Sequence, residues 1–461
     1  MRMTRRELLI GAGAGALGVL LVSCTPEPKP TRTPTRTPSP LPTTNVPAPA
    51  DSVRSSWATD QYSRGAVSYT RIGVQSDTRA TLAEPVEGRV YFAGEATDVD
   101  NPSTMRGAIH SGESAAMRLR ATAEAGERIA VIGAGLAGAT VAADLADLDV
   151  EVTVFEARDR VGGRVHSHLD DDWPIPVQLG GWLVSPDDDS DLAESVDLAS
   201  ALWRSAGADI EPVANAPLDA AITLAQTFPA DVSLTEALIA TGADPEEPGL
   251  ASLLAYLATT SGADAEKLSA WFPPALPRAA SKGIVGDLGA YVRTQLSDAQ
   301  LTLSSPVTRI AYDDAGVSLR LGTGESTSFD RVVVTVPLGV LQRDGIEFAP
   351  PLPFTHRGAL NALGMGHVET IWLRYDEPFW DTEATIWHAV GDGPAGGGGL
   401  TLEDAVMVRT WINLLPVTGE NLLVGIVGGD DAEKFAELEE EGALLSALTS
   451  LELFLPSGAT G

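Results

Sequence analysis

Residues 128 to 164, RIAVIGAGLAGATVAADLADLDVEVTVFEARDRVGGR, constrain this chain more than any other stretch. Ile129, Val131 and Ile132 form a short apolar run of the kind that becomes a buried parallel strand, and the turn GAGLAG follows it directly. Leu136, Val141, Leu145 and Leu148 then recur at helical spacing. Val150 to Phe155 is a second apolar strand that stops at Glu156. The pattern predicts one strand–helix–strand unit. Gly133 permits the tight turn, with Ala134 beside it. Gly135 lets a pyrophosphate approach the backbone, and Gly138 lets helix and strand pack closely, so phosphates would sit on the free N–H groups of the helix start. Glu156 follows the turn by about 20 residues, the distance at which a carboxylate meets a ribose hydroxyl.

A nicotinamide site needs no more than this, but RDRVGGR adds Arg158, Gly162, Gly163 and Arg164. The extended pattern resembles the FAD-binding start of the flavin amine oxidases: monoamine oxidases, polyamine oxidases and flavin-dependent histone demethylases. The resemblance implies an α/β fold, a Rossmann-like FAD-binding domain of the two-dinucleotide type with a second domain of mixed sheet and helices for substrate. In that family the stretch lies near the N-terminus, whereas here it begins at residue 128.

The displacement finds its explanation in residues 52 to 123. WATDQYSRGAVSY (Trp57 to Tyr69), GRVYFAGEAT (Gly88 to Thr97) and TMRGAIHSG (Thr104 to Gly112) resemble, in order, the end of a flavin amine oxidase. Val90 to Ala93 reads as a short buried strand, Gly94-Glu95 as a turn and Thr104 to Ala121 as a helix. The resemblance would put Trp57 against the isoalloxazine, Gly94 and Glu95 near the ribityl chain, and Thr104 and the backbone of Met105 at the ring's polar edge, where a helix dipole favours a reduced-flavin anion. Glu420 to Leu448 resembles the segment that normally precedes this block. The expectation is therefore a circularly permuted chain, joined through the loop Thr122 to Glu127.

The first 50 residues read as an address. Met1 to Glu7 is basic with twin arginines, Arg5 and Arg6; Leu8 to Ser23 is apolar and too short to span a bilayer comfortably; LVSC resembles a lipobox ending at Cys24. Thr25 to Ala50, rich in Pro and Thr, predicts an extended tether. The expectation is a Tat-exported lipoprotein anchored at Cys24 to the outer face of a bacterial cytoplasmic membrane. The net charge is −32, with only four lysines. So acidic a body should be repelled by nucleic acid and by anionic lipid, leaving the lipid as its membrane contact. One cysteine rules out a disulfide framework within the chain.

Seven segments follow from these readings: a leader (1–24), a tether (25–50), the permuted family C-terminus (51–123), the strand–helix–strand unit (124–185), a mostly helical part of the substrate domain (186–290), strands of the FAD domain (291–341), and substrate-domain strands with a helix (342–461). The resemblance places Gly180 and Gly181, in VQLGGWLVSP, close to the flavin with Gln178 at a usually acidic position. It puts the backbone of Val307 on the adenine and makes TVPLGVL (Thr335 to Leu341) the return to the substrate domain.

Family chemistry is hydride transfer from a neutral amine to the flavin, with electrons passed to dioxygen. Several positions depart from it. The lysine that holds a water at N5 falls on Thr370, the two aromatic cage positions on Val67 and Thr104, and the cysteine of covalent flavin attachment on Ala66, so FAD is expected to be noncovalent. His367, beside the missing lysine, is a candidate proton carrier. Lys282 reads as a surface lysine, His166 and His168 as polar strand residues rather than metal ligands, and the aspartate runs 170–172 and 187–189 as solvated loops; no metal is expected. Two other readings stay open: a protein that retains flavin without oxidase turnover, which Thr370 favours, and a flavin desaturase or isomerase acting on an apolar substrate.

Overall fold

The strand Arg128–Ile132 sits in the middle of a five-stranded, wholly parallel sheet. The order across it is Gln300–Thr302, Glu151–Phe155, Arg128–Ile132, Arg331–Val334 and Val90–Phe92. Both faces are covered, so Ile129, Ala130 and Val131 are fully buried and the strand reads as a continuous apolar run. The helix Leu136–Leu145 lies on one face, and the helix Met105–Arg120 packs against it. Residues early in the chain thus supply an edge strand, Val90–Phe92, to a sheet whose other members follow them in sequence. This is a computed structural model, and it describes residues 44–187, 192–205, 208–391 and 407–455. The leader, the twin arginines, Cys24, nearly all of the tether, Asp188, Asp189 and the glycine run 396–399 lie outside the described residues.

A second, seven-stranded sheet carries the other half of the core. Its order is Asp51–Arg54, Val368–Arg374, Leu422–Gly428, Thr410–Asn413, Ile386–Val390, Ala201–Ser205 and Ala208–Ile210. Trp372, Trp387 and Trp411 are fully enclosed in it, each contributing about 1.5–3 kcal/mol or more of burial. A four-stranded sheet runs Ser326–Phe329, Gly316–Leu321, Val307–Asp313, Glu347–Ala349. The described residues, from 44 onward, form one compact unit.

The expectation that residues 187 to 288 are mostly helical needs correction. Helices Ala216–Ala225, Leu234–Thr241 and Pro248–Ser261 are present, but Ser195–Leu198, Ala201–Ser205 and Ala208–Ile210 precede them as strands. Ala201–Ser205 pairs in parallel with Ile386–Val390, nearly 200 residues away, and that pairing overrides a locally helical apolar spacing. No helix among the described residues is long and apolar enough to cross a membrane.

Candidate functional site

The glycine turn, the helix starting at Met105 and the second sheet converge on a single cavity of about 1440 Å³. That is well beyond a drug-sized pocket and matches a dinucleotide with a substrate beside it. At one end the turn is shaped by absent side chains. Gly133 has φ +108°, and a Cβ on Gly138 would lie 2.0 Å from the Gly133 carbonyl oxygen, so only glycine lets the helix start this close to the strand. Gly133, Gly135, Glu156, Gly162 and Gly163 are in the cavity wall. Ala134 and Gly138 are not; they stand behind it, Ala134 donating its N–H to Glu156 Oε2 at 2.9 Å. The other oxygen of Glu156 takes the Arg158 N–H at 2.9 Å, so the carboxylate is fixed by the turn itself and still faces the cavity.

Along the middle, the early block and the glycine motif are cross-linked. Glu95 is buried, and Oε1 accepts from Arg164 Nη1 at 2.8 Å, while Oε2 accepts from Ser68 Oγ at 2.6 Å and the Ser103 N–H at 3.1 Å. Arg79, unforeseen from the sequence, donates to Ser68 Oγ at 2.8 Å and the Ala96 carbonyl at 3.0 Å. Burial alone would push the Glu95 carboxyl up; the Arg164 and Arg79 guanidiniums outweigh it and hold the group below its usual range. Arg158 donates to Ser63 Oγ at 2.8 Å and forms an ion pair with Asp60. Gly94, Gly180, Gly181 and Val307 are in the wall as well.

Thr104 caps the helix Met105–Arg120, its Oγ1 accepting the Gly107 N–H at 2.9 Å. The unsatisfied N–H groups of the first turn open on the cavity beside Thr104 and Met105. The Thr104 hydroxyl also donates to the Asn101 carbonyl, so it serves the helix start rather than a substrate cage. Trp57 lines the wall, its indole N–H donating to the Leu179 carbonyl at 2.6 Å and its ring lying under the Arg160 guanidinium at 6.0 Å.

At the far end Thr370 is in the wall and 5 % exposed, and its Oγ1 has no hydrogen-bond partner among the described residues. His367 is a correction. On the strand Val368–Arg374 side chains alternate; Val368 and Thr370 face the cavity, whereas His367, just before it, is not in the wall and has Glu433 at 4.0 Å. Ala66 and Val67 do line the cavity; Lys282, on the strand Ser281–Ile284, does not. The rest of this end comes from residues the sequence did not single out, notably Tyr256, Phe272 and the run Pro273 to Pro277. Burial pushes the Tyr256 phenol up to about 12, so it stays neutral. Among the described residues no group of three His, Cys, Asp or Glu could hold a metal.

Comparison with known proteins decides between a generic nucleotide fold and something narrower. The sequence profile described as "Flavin containing amine oxidoreductase" matches residues 38–120 and 226–460, and that of an NAD(P)-binding Rossmann-like domain matches 131–197. The chain belongs to the flavin-containing amine oxidoreductases. It is 29 % identical over 368 residues to Polyamine oxidase 2 of Arabidopsis thaliana, covering 71 % of this chain and 72 % of that protein. It is 36 % identical over 153 residues to Histone demethylase-like protein A of Aspergillus fumigatus, covering 31 % of this chain and 14 % of that one. In fold it is similar to cyclohexylamine oxidase from Brevibacterium oxydans, with a TM-score of 0.55, 19 % identity and coverage of 72 % and 82 %. It is similar too to putrescine oxidase bound to putrescine, with a TM-score of 0.54, 21 % identity and the same coverage.

FAD, held without a covalent bond, is the cofactor of this FAD-dependent oxidoreductase, and the wall fits it. The turn at Gly133 to Gly138 leaves open the space a side chain would fill, Glu156 is held by the turn and faces the cavity, and a helix N-terminus meets the middle of the cavity. Position 66, where a covalent link would need cysteine, is alanine.

Proposed function

We propose that this flavin-containing amine oxidoreductase is an exported, lipid-anchored oxidase of a small amine that uses dioxygen as acceptor, and that its chain is a circular permutant of the family order. One observation carries the catalytic part: a single cavity runs from the glycine turn and Glu156, past the opening of the Met105 helix, to Thr370 and Tyr256. When bound, FAD supplies the redox chemistry, taking a hydride equivalent from the amine and delivering electrons to oxygen. The protein's part is placement. The turn and the start of the helix Leu136–Leu145 would hold the diphosphate, Glu156 the ribose, the N–H groups after Thr104 the polar edge of the ring, and Trp57 its flank. Tyr256, Phe272 and the prolines exclude water from the substrate end and leave an amine there in its neutral form. The permutation is supported by the parallel pairing of Val90–Phe92 with Arg331–Val334, and by the Arg164–Glu95 contact between the two blocks. Export rests on the basic, apolar and lipobox pattern of residues 1 to 24.

The experiment is direct. Purified protein should show a flavin absorption band that bleaches without air on addition of one member of an amine and amino-acid panel, and should release peroxide in air. Colourless protein that takes up no added FAD would overturn the reading. A second reading, flavin retention without oxidase turnover, is favoured by Thr370 at the lysine position; it expects a yellow protein that no member of the panel bleaches.

A further inference from the structure

Four carboxylates are buried among the described residues: Glu95, Asp98, Glu156 and Glu369. The first three have a cationic or imidazole partner, Arg164, His110 and Arg158 respectively. Glu369 is fully buried and has no ion pair among the described residues. It sits on the strand next to Thr370 with its side chain on the opposite face from the cavity. Oε1 accepts the Ala58 N–H at 2.9 Å, the Trp57 N–H is a second donor, and the Ser55 hydroxyl is a third. Ser55 Oγ itself accepts the Thr370 N–H at 2.9 Å, so its own proton is committed to the carboxylate. The Ser55 N–H in turn donates to the Thr370 carbonyl at 2.9 Å. The segment that carries Trp57 into the cavity wall is thus clipped to one carboxyl group.

We propose that Glu369 is a positioning residue: its carboxylate, through Ser55, Trp57 and Ala58, holds the indole of Trp57 in the wall of the flavin cavity, and protonating it releases that hold. Three donors suit the ionised form, an acceptor on both oxygens. A neutral carboxyl turns one oxygen into a donor, so the Ser55 hydroxyl that donates to Oε2 must reverse or turn away. Burial favours the neutral form and pushes the group up to about 7, with the donors opposing it. Other charges around it are already engaged. Arg54 acts on it but is bound to Glu440 and to the Phe435 and Leu438 carbonyls. The neighbouring strand Leu422–Gly428 has no titratable side chain. The helix Gly429–Glu437 packs on the same strand with Asp430 paired to Lys267, Asp431 to Lys434 and Glu433 near His367. The helix Pro248–Ser261 offers only Tyr256, neutral here. Arg160, over the indole, stays charged throughout this range.

The proposal rests on the reading of Trp57 as a neighbour of the flavin, and its test separates the two. The visible spectrum of the FAD-loaded full chain is titrated from about pH 5.5 to 9 in wild type, Glu369→Gln and Ser55→Ala. The expected result is a one-proton spectral shift with its midpoint near 7, absent in Glu369→Gln and moved to higher pH in Ser55→Ala, which removes one donor to the ionised form. The same transition in Glu369→Gln, or a spectrum that does not change with pH in wild type, would overturn it. Should the protein take up no FAD, the difference in tryptophan emission between wild-type and Trp57→Phe apoprotein reads the clip instead. A midpoint near 7 there supports it, and a flat difference refutes it.

Discussion

Arg164 and Glu95 meet at 2.8 Å in the wall of the cavity although they are 69 residues apart, one before and one after the loop Thr122 to Glu127. Glu95 also carries the charge of Arg79 and the hydroxyl of Ser68, in a place where water reaches only 5 % of its surface. Replacing it with alanine leaves the Arg164 guanidinium without its paired carboxylate and takes away one of the two carboxylates, Glu95 and Asp98, that act on Arg79. Removing one partner of a buried pair costs about 3–5 kcal/mol. Glu95→Ala should therefore lose about that much stability to urea and retain less flavin on purification, whereas Glu95→Gln, which keeps the acceptor for Ser68, should lose clearly less.

Gly135 and Gly138 separate binding from folding. A Cβ on Gly135 would meet its nearest protein atom, the Gly162 carbonyl oxygen, at 3.8 Å, an ordinary contact, yet it would stand in the cavity wall. Gly135→Ala should fold with apoprotein stability close to wild type and bind FAD at least tenfold more weakly, by titration of apoprotein. Gly138→Ala, with its Cβ 2.0 Å from the Gly133 carbonyl, should instead lower the melting temperature of the apoprotein.

His388 makes the substrate end acid-sensitive. It is 3 % exposed, its ring lies 4.3 Å from Trp203 and 4.4 Å from Tyr256 of the cavity wall, and burial pushes it down to about 3. A depressed histidine means the folded chain binds fewer protons than the unfolded one. Its contribution is present above the unfolded value near 6.5 and is lost as pH falls toward 3. Stability from urea unfolding, measured between pH 7 and 4, should fall by on the order of 3 kcal/mol from this group. His388→Phe should flatten that slope.

The parts legible in the sequence are those built from local contacts. The strand, glycine turn and helix from Arg128 to Leu145 follow from a continuous run of residues, and so does the helix Met105–Arg120. Arg79 and Glu369 gave no signal, because their meaning comes from Ser68 and Glu95 in one case and from a loop more than 300 residues away in the other. His367, three positions before Thr370 and just outside the strand Val368–Arg374, is close to it in sequence yet absent from the cavity wall. Tyr256 and Phe272 stand in no motif, and only the closing of the cavity makes them its wall.

Thr370 tests what the missing lysine means. Its hydroxyl is buried, has no partner among the described residues, and occupies a wall otherwise made there of Val368 and Ile426, its cross-strand neighbour. An unsatisfied buried hydroxyl costs about 1–3 kcal/mol, so the isosteric Thr370→Val should be at least as stable as wild type, by about 1 kcal/mol in urea. If flavin content holds and amine-dependent bleaching is unchanged, the hydroxyl takes no part in turnover, and the wall at this point is simply apolar. Thr370→Lys carries an ammonium group into the same enclosed place. There burial should depress the lysine and leave it a neutral donor for an ordered water, and any gain in peroxide release over wild type would measure the loss that threonine represents.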